Sequence, residues 1–210
     1  MSGLNFIKVY LIIVIILHLI SFIAPLIIIR KKGNDPHGIH EGNSILARLT
    51  PVSYFLLIIF IFVYIFFDTV IKIFWTFQGL AINGITIIGI IMAAVGSIIE
   101  IVATMRLGIN FRIEIPKEQT ELVVDGIYRF MRNPIAFSLY LFVLGIFLMI
   151  PNVITLIIFI MNIITFDAKI RNEEKFLSER FGKDYEAYKM KVGRYFPIKL
   201  KSRNKLSVRR

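Results

Sequence analysis

The chain contains no cysteine, one tryptophan and three histidines among its 210 residues. The lack of cysteine excludes a disulfide framework, a thiolate metal site and a cysteine nucleophile. Charged residues are also scarce, at 19% against 57% hydrophobic, and the mean hydropathy is +0.75. A soluble domain of this size could not cover so much apolar surface, because its exterior requires more charge. These scarcities exclude a soluble enzyme, a disordered chain and a coiled coil, and they predict an integral membrane protein.

Long apolar runs divide the chain into candidate membrane spans of about 20 residues, the length that a bilayer core requires. The last run, Pro134 to Phe166, would be about 50 Å long as one helix. Pro151 and Asn152 lie at its centre, and both favour a turn over a continuous helix. We therefore predict an all-α integral membrane protein with five transmembrane helices, the last two forming a tight hairpin. The predicted spans are Asn5–Ile29, Pro51–Phe74, Leu80–Met105, Pro134–Ile150 and Pro151–Phe166.

The distribution of positive charge favours an odd number of spans. Lys and Arg number 4, 5 and 14 in Arg30–Thr50, Arg106–Asn133 and Asp167–Arg210, which share one side if the chain crosses five times. The positive-inside rule then predicts a multi-pass protein with its N-terminus outside and its C-terminus in the cytoplasm. We expect the basic segments to face anionic lipid. We expect no nucleic-acid partner, because no aromatic residues interleave with the charge, and we infer no obligate protein partner.

The segment Asp167–Val192 has the pattern of a cytosolic amphipathic C-terminal helix. Its apolar residues recur at spacings of three, four or seven and so share one face. Gly182 is expected to bend or break this helix. An interfacial helix that merely covers the bundle explains the same pattern. We divide the chain into a two-helix N-terminal region (1–79), a core that includes the C-terminal helix (80–197) and a basic tail (198–210).

The stretch from Glu121 to Pro134 leads into the predicted hairpin. Pro134 suits the first turn of a helix, and Asn133 is a candidate for its N-cap. Arg129 and Arg132 lie three residues apart and face the same way in a turn or helix. Two guanidinium groups at the mouth of a membrane hairpin suit a carboxylate or phosphate ligand. Anchoring of both arginines to lipid phosphates explains the pair equally well.

Ionisable residues elsewhere in the chain carry weaker signals. His18, inside the first span, is expected to meet a neighbouring helix. Glu100, in the third span, either has a function within the membrane or extends to the interface. His37 and His40 lie in a glycine-rich stretch without a third ligand at a suitable spacing, so we expect no metal site.

Two motifs together resemble a known family. The sequence GIYRFMRNP at 126–134 resembles the G-x-Y-R-x-x-R-[HN]-P signature of the isoprenylcysteine carboxyl methyltransferases and related membrane methyltransferases, including phospholipid methyltransferases. Glu173 to Pro197 resembles their C-terminal pattern E-E-x-x-L-x-x-x-F-G-x-x-Y-x-x-Y-x-x-x-V-x-R-x-x-P at every fixed position. One departure is Ala136, where the family usually has tyrosine two positions after the proline.

The resemblance implies a membrane methyltransferase that uses S-adenosylmethionine in a cytosolic pocket and receives a lipophilic substrate from the bilayer. We expect Arg171 and Glu173 to lie nearest the transferred methyl group, where they orient the substrate or accept a proton from an amine. Phe137 or Tyr140 is expected to replace the contact that Ala136 lacks. The implied cofactor-binding residues are Tyr128, Arg129, Arg132, Asn133, Pro134, Phe137, Tyr140, Glu174, Tyr185 and Tyr188.

Two other functions are compatible with the sequence. A membrane reductase of the steroid-reductase type has a similar C-terminal layout and would require NADPH. A non-catalytic membrane module that binds lipid or a partner would tolerate the loss of the motif tyrosine at Ala136.

Overall fold

The computed structural model describes residues 3–31, 45–71, 76–77, 83–108 and 121–195. In these residues the chain is helical, with one isolated β-bridge between Thr76 and Asn152. The tail 198–210 and the residues His37 and His40 lie outside the described residues. The α-helices are α1 (Gly3–Lys31), α2 (Ile45–Arg48), α3 (Thr50–Ile71), α4 (Asn83–Leu107), α5 (Pro134–Met149), α6 (Val153–Phe181) and α7 (Lys183–Lys191), with a 3-10 turn at Gly126–Arg129 before α5.

The apolar composition of the long helices suits a membrane. Within the described ranges, four segments are long and apolar enough to cross a bilayer, and α5, also apolar, has 16 residues. At 1.5 Å per residue α5 is about 24 Å long, somewhat short of a typical hydrocarbon core. The four segments are Phe6–Lys31, Ile45–Phe67, Asn83–Leu107 and Val153–Phe181.

Helices α1 and α4 run parallel and are joined by polar contacts. The Tyr10 hydroxyl donates to the carbonyl oxygen of Ile90 (2.6 Å), and eight residues further along α1 the imidazole of His18 lies against the carboxylate of Glu100. His18 and Glu100 are each 2% exposed, and the His18 ring stacks on Phe142 with 4.4 Å between ring centroids. The expectation that His18 meets a neighbouring helix is therefore confirmed. Glu100 does not extend to the interface, because His18 holds it inside the bundle.

Helices α3 and α6 run antiparallel along a seam of small polar side chains. The Thr50 hydroxyl donates to the carbonyl oxygen of Thr165 (3.1 Å), and the hydroxyls of Ser53 and Thr165 lie 3.0 Å apart. The side-chain amide of Asn162 donates to the Ser53 carbonyl oxygen at 3.3 Å. In an apolar surrounding such hydrogen bonds fix the register of two helices, because an unpaired polar group there is costly.

Helices α4 and α5 are antiparallel, and their backbones come into close contact at glycines. A Cβ atom on Gly145 would lie 2.6 Å from the carbonyl oxygen of Gly89 and 2.7 Å from the backbone nitrogen of Ala93. A Cβ atom on Gly96 would lie 2.6 Å from the carbonyl oxygen of Ser138. Small residues allow such close approach between helices in a membrane. Gly89 and Gly96, both in the third predicted span, thus serve helix packing.

The predicted hairpin is present between α5 and α6. Asn152 caps α6: its side-chain oxygen accepts from the Thr155 backbone N–H (2.9 Å), and the Thr155 hydroxyl accepts from the Asn152 N–H (3.1 Å). This reciprocal pair satisfies two backbone donors at the start of the helix. Pro151 precedes the cap, as the sequence predicted.

The predicted second hairpin arm, Pro151–Phe166, and the first part of the predicted C-terminal helix belong to one helix. Helix α6 continues without a break for 29 residues to Phe181 and is about 43 Å long. No glycine or proline interrupts it there, and the pair Asp167–Arg171 at i,i+4 supports the continued helix. The predicted break at Gly182 is confirmed: this residue has φ +50° and separates α6 from α7.

The contacts make the five long helices alternate in direction. The C-terminal ends of α1, α4 and α6 therefore lie at the same end of the bundle as the N-terminal ends of α3 and α5. We call it the basic end, because α1 finishes with Arg30 and Lys31, α2 with Arg48, and α4 has Arg106 in its last turn. The turn before α5 and helix α7 also lie at the basic end.

Replacing Gly145 by alanine should destabilise the bundle. The added methyl group would collide with the backbone of α4, which can move only by separating the helices, at a cost of about 1–3 kcal/mol. Thermal unfolding in detergent measures this loss. Gly84→Ala is the control, since nothing lies within 4 Å of its Cβ position. Equal melting temperatures for the two variants would contradict the close α4–α5 contact.

Candidate functional site

A buried carboxylate, Glu174, joins the two sequence motifs at the basic end. Its side chain is 8% exposed. One oxygen, Oε1, accepts from Arg132 Nη2 (3.1 Å), Asn133 Nδ2 (3.1 Å) and Arg194 Nε (3.2 Å). The other, Oε2, accepts from Arg194 Nη2 at 2.6 Å. A single side chain thus orients groups from the segment before α5 and the segment after α7, through charge-assisted hydrogen bonds.

Arg132 also holds the end of α7. Its Nη1 donates to the carbonyl oxygens of Lys189 (3.0 Å) and Val192 (3.1 Å). A cation at this position satisfies carbonyls that the helix leaves unpaired and interacts favourably with the helix dipole. The Nε of Arg132 is buried and has no hydrogen-bond partner in the part of the chain that the structure describes. The two terminal nitrogens of Arg132 therefore bind other groups of the protein, and its Nε–H is the unpaired donor.

Backbone hydrogen bonds attach residues 193–195 to the same turn. The N–H of Arg132 donates to the carbonyl oxygen of Gly193 (2.9 Å), and that of Asn133 donates to the carbonyl oxygen of Arg194 (3.1 Å). We call residues 193–195 the C-terminal strap. The strap and the turn therefore form one unit at the mouth of α5.

The predicted capping role of Asn133 is only partly correct. Asn133 occupies the N-cap position of α5, and Pro134 follows at the first helical turn as predicted. The Asn133 side chain makes no capping hydrogen bond, however, and its amide donates to Glu174 instead. A bond to a charged carboxylate is stronger than one to a neutral backbone group, which explains the choice of partner.

A second polar cluster surrounds Asp167. Its Oδ2 accepts from Arg171 Nε (2.7 Å), and its Oδ1 lies 3.4 Å from Arg194 Nη1 and 3.5 Å from the Tyr195 hydroxyl. The Tyr195 hydroxyl is also 3.5 Å from that of Tyr140 in α5. Our sequence analysis assigned no role to Asp167, Arg194 or Tyr195. Arg194 could have been identified from the sequence, because it is the fixed arginine of the C-terminal motif.

The structure does not bring Arg171 and Glu173 together as a pair. Residues two apart in an α-helix project about 200° apart. Arg171 is bound to Asp167, whereas Glu173 is exposed and interacts electrostatically with Lys169, one turn earlier on α6. The charge of Glu173 reaches Tyr128: burial raises the pKa of Tyr128 well above its ordinary value, and Glu173 raises it further. Glu173 thus lies close enough to the first motif for its charge to act on Tyr128.

Two of the implied cofactor-binding tyrosines form a small apolar core at the basic end. Tyr185 and Tyr188 are buried with Val192, and the Tyr188 hydroxyl donates to the carbonyl oxygen of Tyr128 at 2.6 Å. Burial raises the pKa of both Tyr185 and Tyr188, so each stays a neutral hydroxyl at physiological pH. These residues hold α7 against the turn that carries the arginines.

The remaining predicted site residues differ in their exposure and in their interaction partners. Arg129 is exposed and has no ion-pair partner within the described ranges. Phe137 is half-buried near the start of α5, and Ala136 is buried. Tyr140 lies one turn beyond Ala136 on the same face and meets Tyr195. The groups left for a ligand are therefore the guanidinium of Arg129, the carboxylate of Glu173 and the Nε of Arg132.

Part of the chain is similar in sequence to known proteins. Residues 85–184 match the family model described as "Phospholipid methyltransferase". A rice protein (Oryza sativa subsp. indica), "Probable protein-S-isoprenylcysteine O-methyltransferase", is 30% identical over 118 residues, or 54% of this chain and 62% of the relative. Over this part of its length, the chain is similar to proteins named as isoprenylcysteine methyltransferases.

Two further relatives are similar over a comparable part of the chain. "Protein-S-isoprenylcysteine O-methyltransferase" of Dictyostelium discoideum is 33% identical over 109 residues (50% of this chain, 46% of the relative). The protein of the same name from Saccharomyces cerevisiae is 31% identical over 124 residues (57% of this chain, 52% of the relative). The chain thus spans about half to three fifths of the length of these relatives. The family model covers α4 to α6 and begins after α3.

Proposed function

We propose that this protein transfers a methyl group from S-adenosylmethionine to a lipophilic acceptor that partitions into the membrane. The main support is that Glu174 binds Arg132, Asn133 and Arg194. These bonds join both motifs of a methyltransferase-like sequence at one end of the bundle. The names of the relatives and of the family model point to an isoprenylcysteine carboxylate, a phospholipid or another isoprenoid lipid as the acceptor.

The proposed site lies on the cytoplasmic side of a five-span protein. The alternating directions of the five long helices support this number, with α5 as a short fifth span. The basic end faces the cytoplasm under the positive-inside rule, which leaves the N-terminus outside. Anionic lipid headgroups would then neutralise Arg30, Lys31 and Arg48. The core 80–197 would contain the whole site.

The free groups at the site fit the methyl donor. The donor has a carboxylate, which suits Arg129 and the unpaired Nε of Arg132. Its amine or its ribose hydroxyls suit a carboxylate such as that of Glu173, which is exposed on α6. Its adenine suits a wall of aromatic and apolar side chains. We propose the half-buried Phe137 and Tyr140 for that wall. The buried residues Tyr128, Pro134, Tyr185 and Tyr188 would support it from within the fold.

The protein's own groups have a limited chemical task. When bound, S-adenosylmethionine supplies a methyl group that its sulfonium has already activated. The protein must therefore hold the acceptor in line and keep water away. Glu173 would orient the acceptor or, if the nucleophile is an amine, accept its proton. Arg171 would contribute through Asp167, which it holds beside the strap.

Calorimetry in detergent tests the proposed cofactor. We expect the full chain to bind S-adenosylhomocysteine saturably, with a Kd of about 1 μM–1 mM, and to show no heat of binding with NADPH. Binding of NADPH alone would support a reductase instead. Binding of neither ligand would contradict the proposed function and support a non-catalytic membrane module.

Substitution of Glu173 tests the proposed catalytic group. We expect Glu173→Gln to lower methyl transfer at least about 100-fold, because the amide cannot accept a proton and orients the acceptor less firmly. The measurement is incorporation of labelled methyl groups into an S-farnesylated cysteine with a blocked amine and, separately, into an amine phospholipid.

Glu179→Gln is the matched control for this experiment. Glu179 lies on the same helix, is exposed and, among the residues that the structure describes, pairs only with Lys175, at 3.8 Å. Its substitution should leave the rate unchanged. A wild-type rate for Glu173→Gln on both acceptors would remove Glu173 from the site.

A further inference from the structure

The C-terminal strap, residues 193–195, contacts three parts of the molecule at once. Its backbone accepts hydrogen bonds from Arg132 and Asn133, Arg194 binds Glu174 and Asp167 in α6, and Tyr195 meets Tyr140 in α5. We propose that Arg194 is a positioning residue: it orients Glu174 and thereby sets Arg132 and Asn133 for the methyl donor. This inference rests on the proposed function.

The two oxygens of Glu174 depend on Arg194 to different degrees. Oε1 has three donors, of which Arg194 Nε is one, at 3.2 Å. Oε2 has one donor in the described residues, Arg194 Nη2, and this 2.6 Å bond is the shortest that the carboxylate makes. The bond also raises the pKa of Arg194, so the guanidinium stays charged. Without Arg194, one oxygen of a buried carboxylate would lose its partner, and such a group reorients or takes up water.

Reorientation of Glu174 would move the first motif. Arg132 Nη2 and Asn133 Nδ2 both bind Oε1 at 3.1 Å, so both follow that oxygen. The Arg132 guanidinium is rigid and planar, and its Nη1 is already held by the carbonyls at the end of α7. A shift at Nη2 therefore changes the direction of the free Nε. Arg194 thus controls that donor without touching a ligand itself.

Arg194 can be replaced by a small ion in solution. Its side chain is 32% exposed, in contrast to the 8% of Glu174. Removal of the side chain should open a path from solvent to Oε2 that a guanidinium ion can enter. A residue that matters only for general packing would not be restored in this way.

The experiment compares Arg194→Ala, Arg194→Lys and Arg180→Ala in the full chain in detergent. Arg180 is the control, since it is exposed in the last turn of α6 and has no ion-pair partner among the described residues. We expect Arg194→Ala to weaken S-adenosylhomocysteine binding at least tenfold and added guanidinium chloride at low millimolar concentration to restore much of it. Arg194→Lys should be intermediate, and Arg180→Ala should bind like the wild type.

A second readout does not depend on the ligand. Hydrogen exchange at the amides of Arg132 and Asn133 reports the two backbone bonds to the strap. We expect faster exchange at these amides in Arg194→Ala, a return towards the wild-type rate with guanidinium, and unchanged exchange in Arg180→Ala.

The outcomes separate this inference from the proposed function. Wild-type affinity and exchange in Arg194→Ala would overturn the positioning role. So would a loss of affinity that guanidinium does not restore in a variant with wild-type exchange at Arg132 and Asn133. If the wild type itself binds no S-adenosylhomocysteine, the proposed function fails, and exchange at the two amides still decides whether Arg194 orders the first motif.

Discussion

The architecture of the basic end depends on the cost of burying the carboxylate of Glu174. A buried carboxylate must be paired and hydrogen-bonded, and loss of one partner typically costs about 3–5 kcal/mol. Here the partners come from two segments far apart in sequence, Arg132 and Asn133 before α5 and Arg194 after α7. Satisfying one charge therefore brings together the turn, α6 and the strap. Arg129 lies in the same turn as Arg132, and Glu173 precedes Glu174 in α6. The arrangement therefore also fixes where these two residues lie.

The membrane helices supply the frame that makes this convergence possible. The hairpin of α5 and α6 reverses at Pro151 and returns the chain to the basic end, where the first motif enters α5 and the second leaves α6. Glycine contacts hold α5 close to α4, and the polar seam at Thr165 holds α6 to α3. The site is thus built on the ends of packed helices. Such helices are more rigid supports than isolated loops.

Composition and periodicity were sufficient to predict an all-helical membrane protein, the hairpin at Pro151 and the break at Gly182. Each depends on a local property, such as apolar length or a helix-breaking residue. The apolar arm and the charged segment after Asp167 were predicted as separate segments, whereas the structure joins them in one helix, because a change from apolar to charged residues gives the backbone no reason to stop. The spacing of charges does not show which of them pair. The motifs indicated Glu174 and Arg132, but only the fold shows that they bind each other.

A double-mutant cycle on Arg132 and Glu174 tests the central claim most directly. Free energies of unfolding in mixed micelles are needed for the wild type, Arg132→Gln, Glu174→Gln and the double variant. Direct contact predicts a coupling energy of about 1–3 kcal/mol. The exposed pair Lys175–Glu179, at 3.8 Å, is the reference and should give less than about 0.5 kcal/mol. A coupling for Arg132 and Glu174 no larger than this reference would contradict the junction of the two motifs.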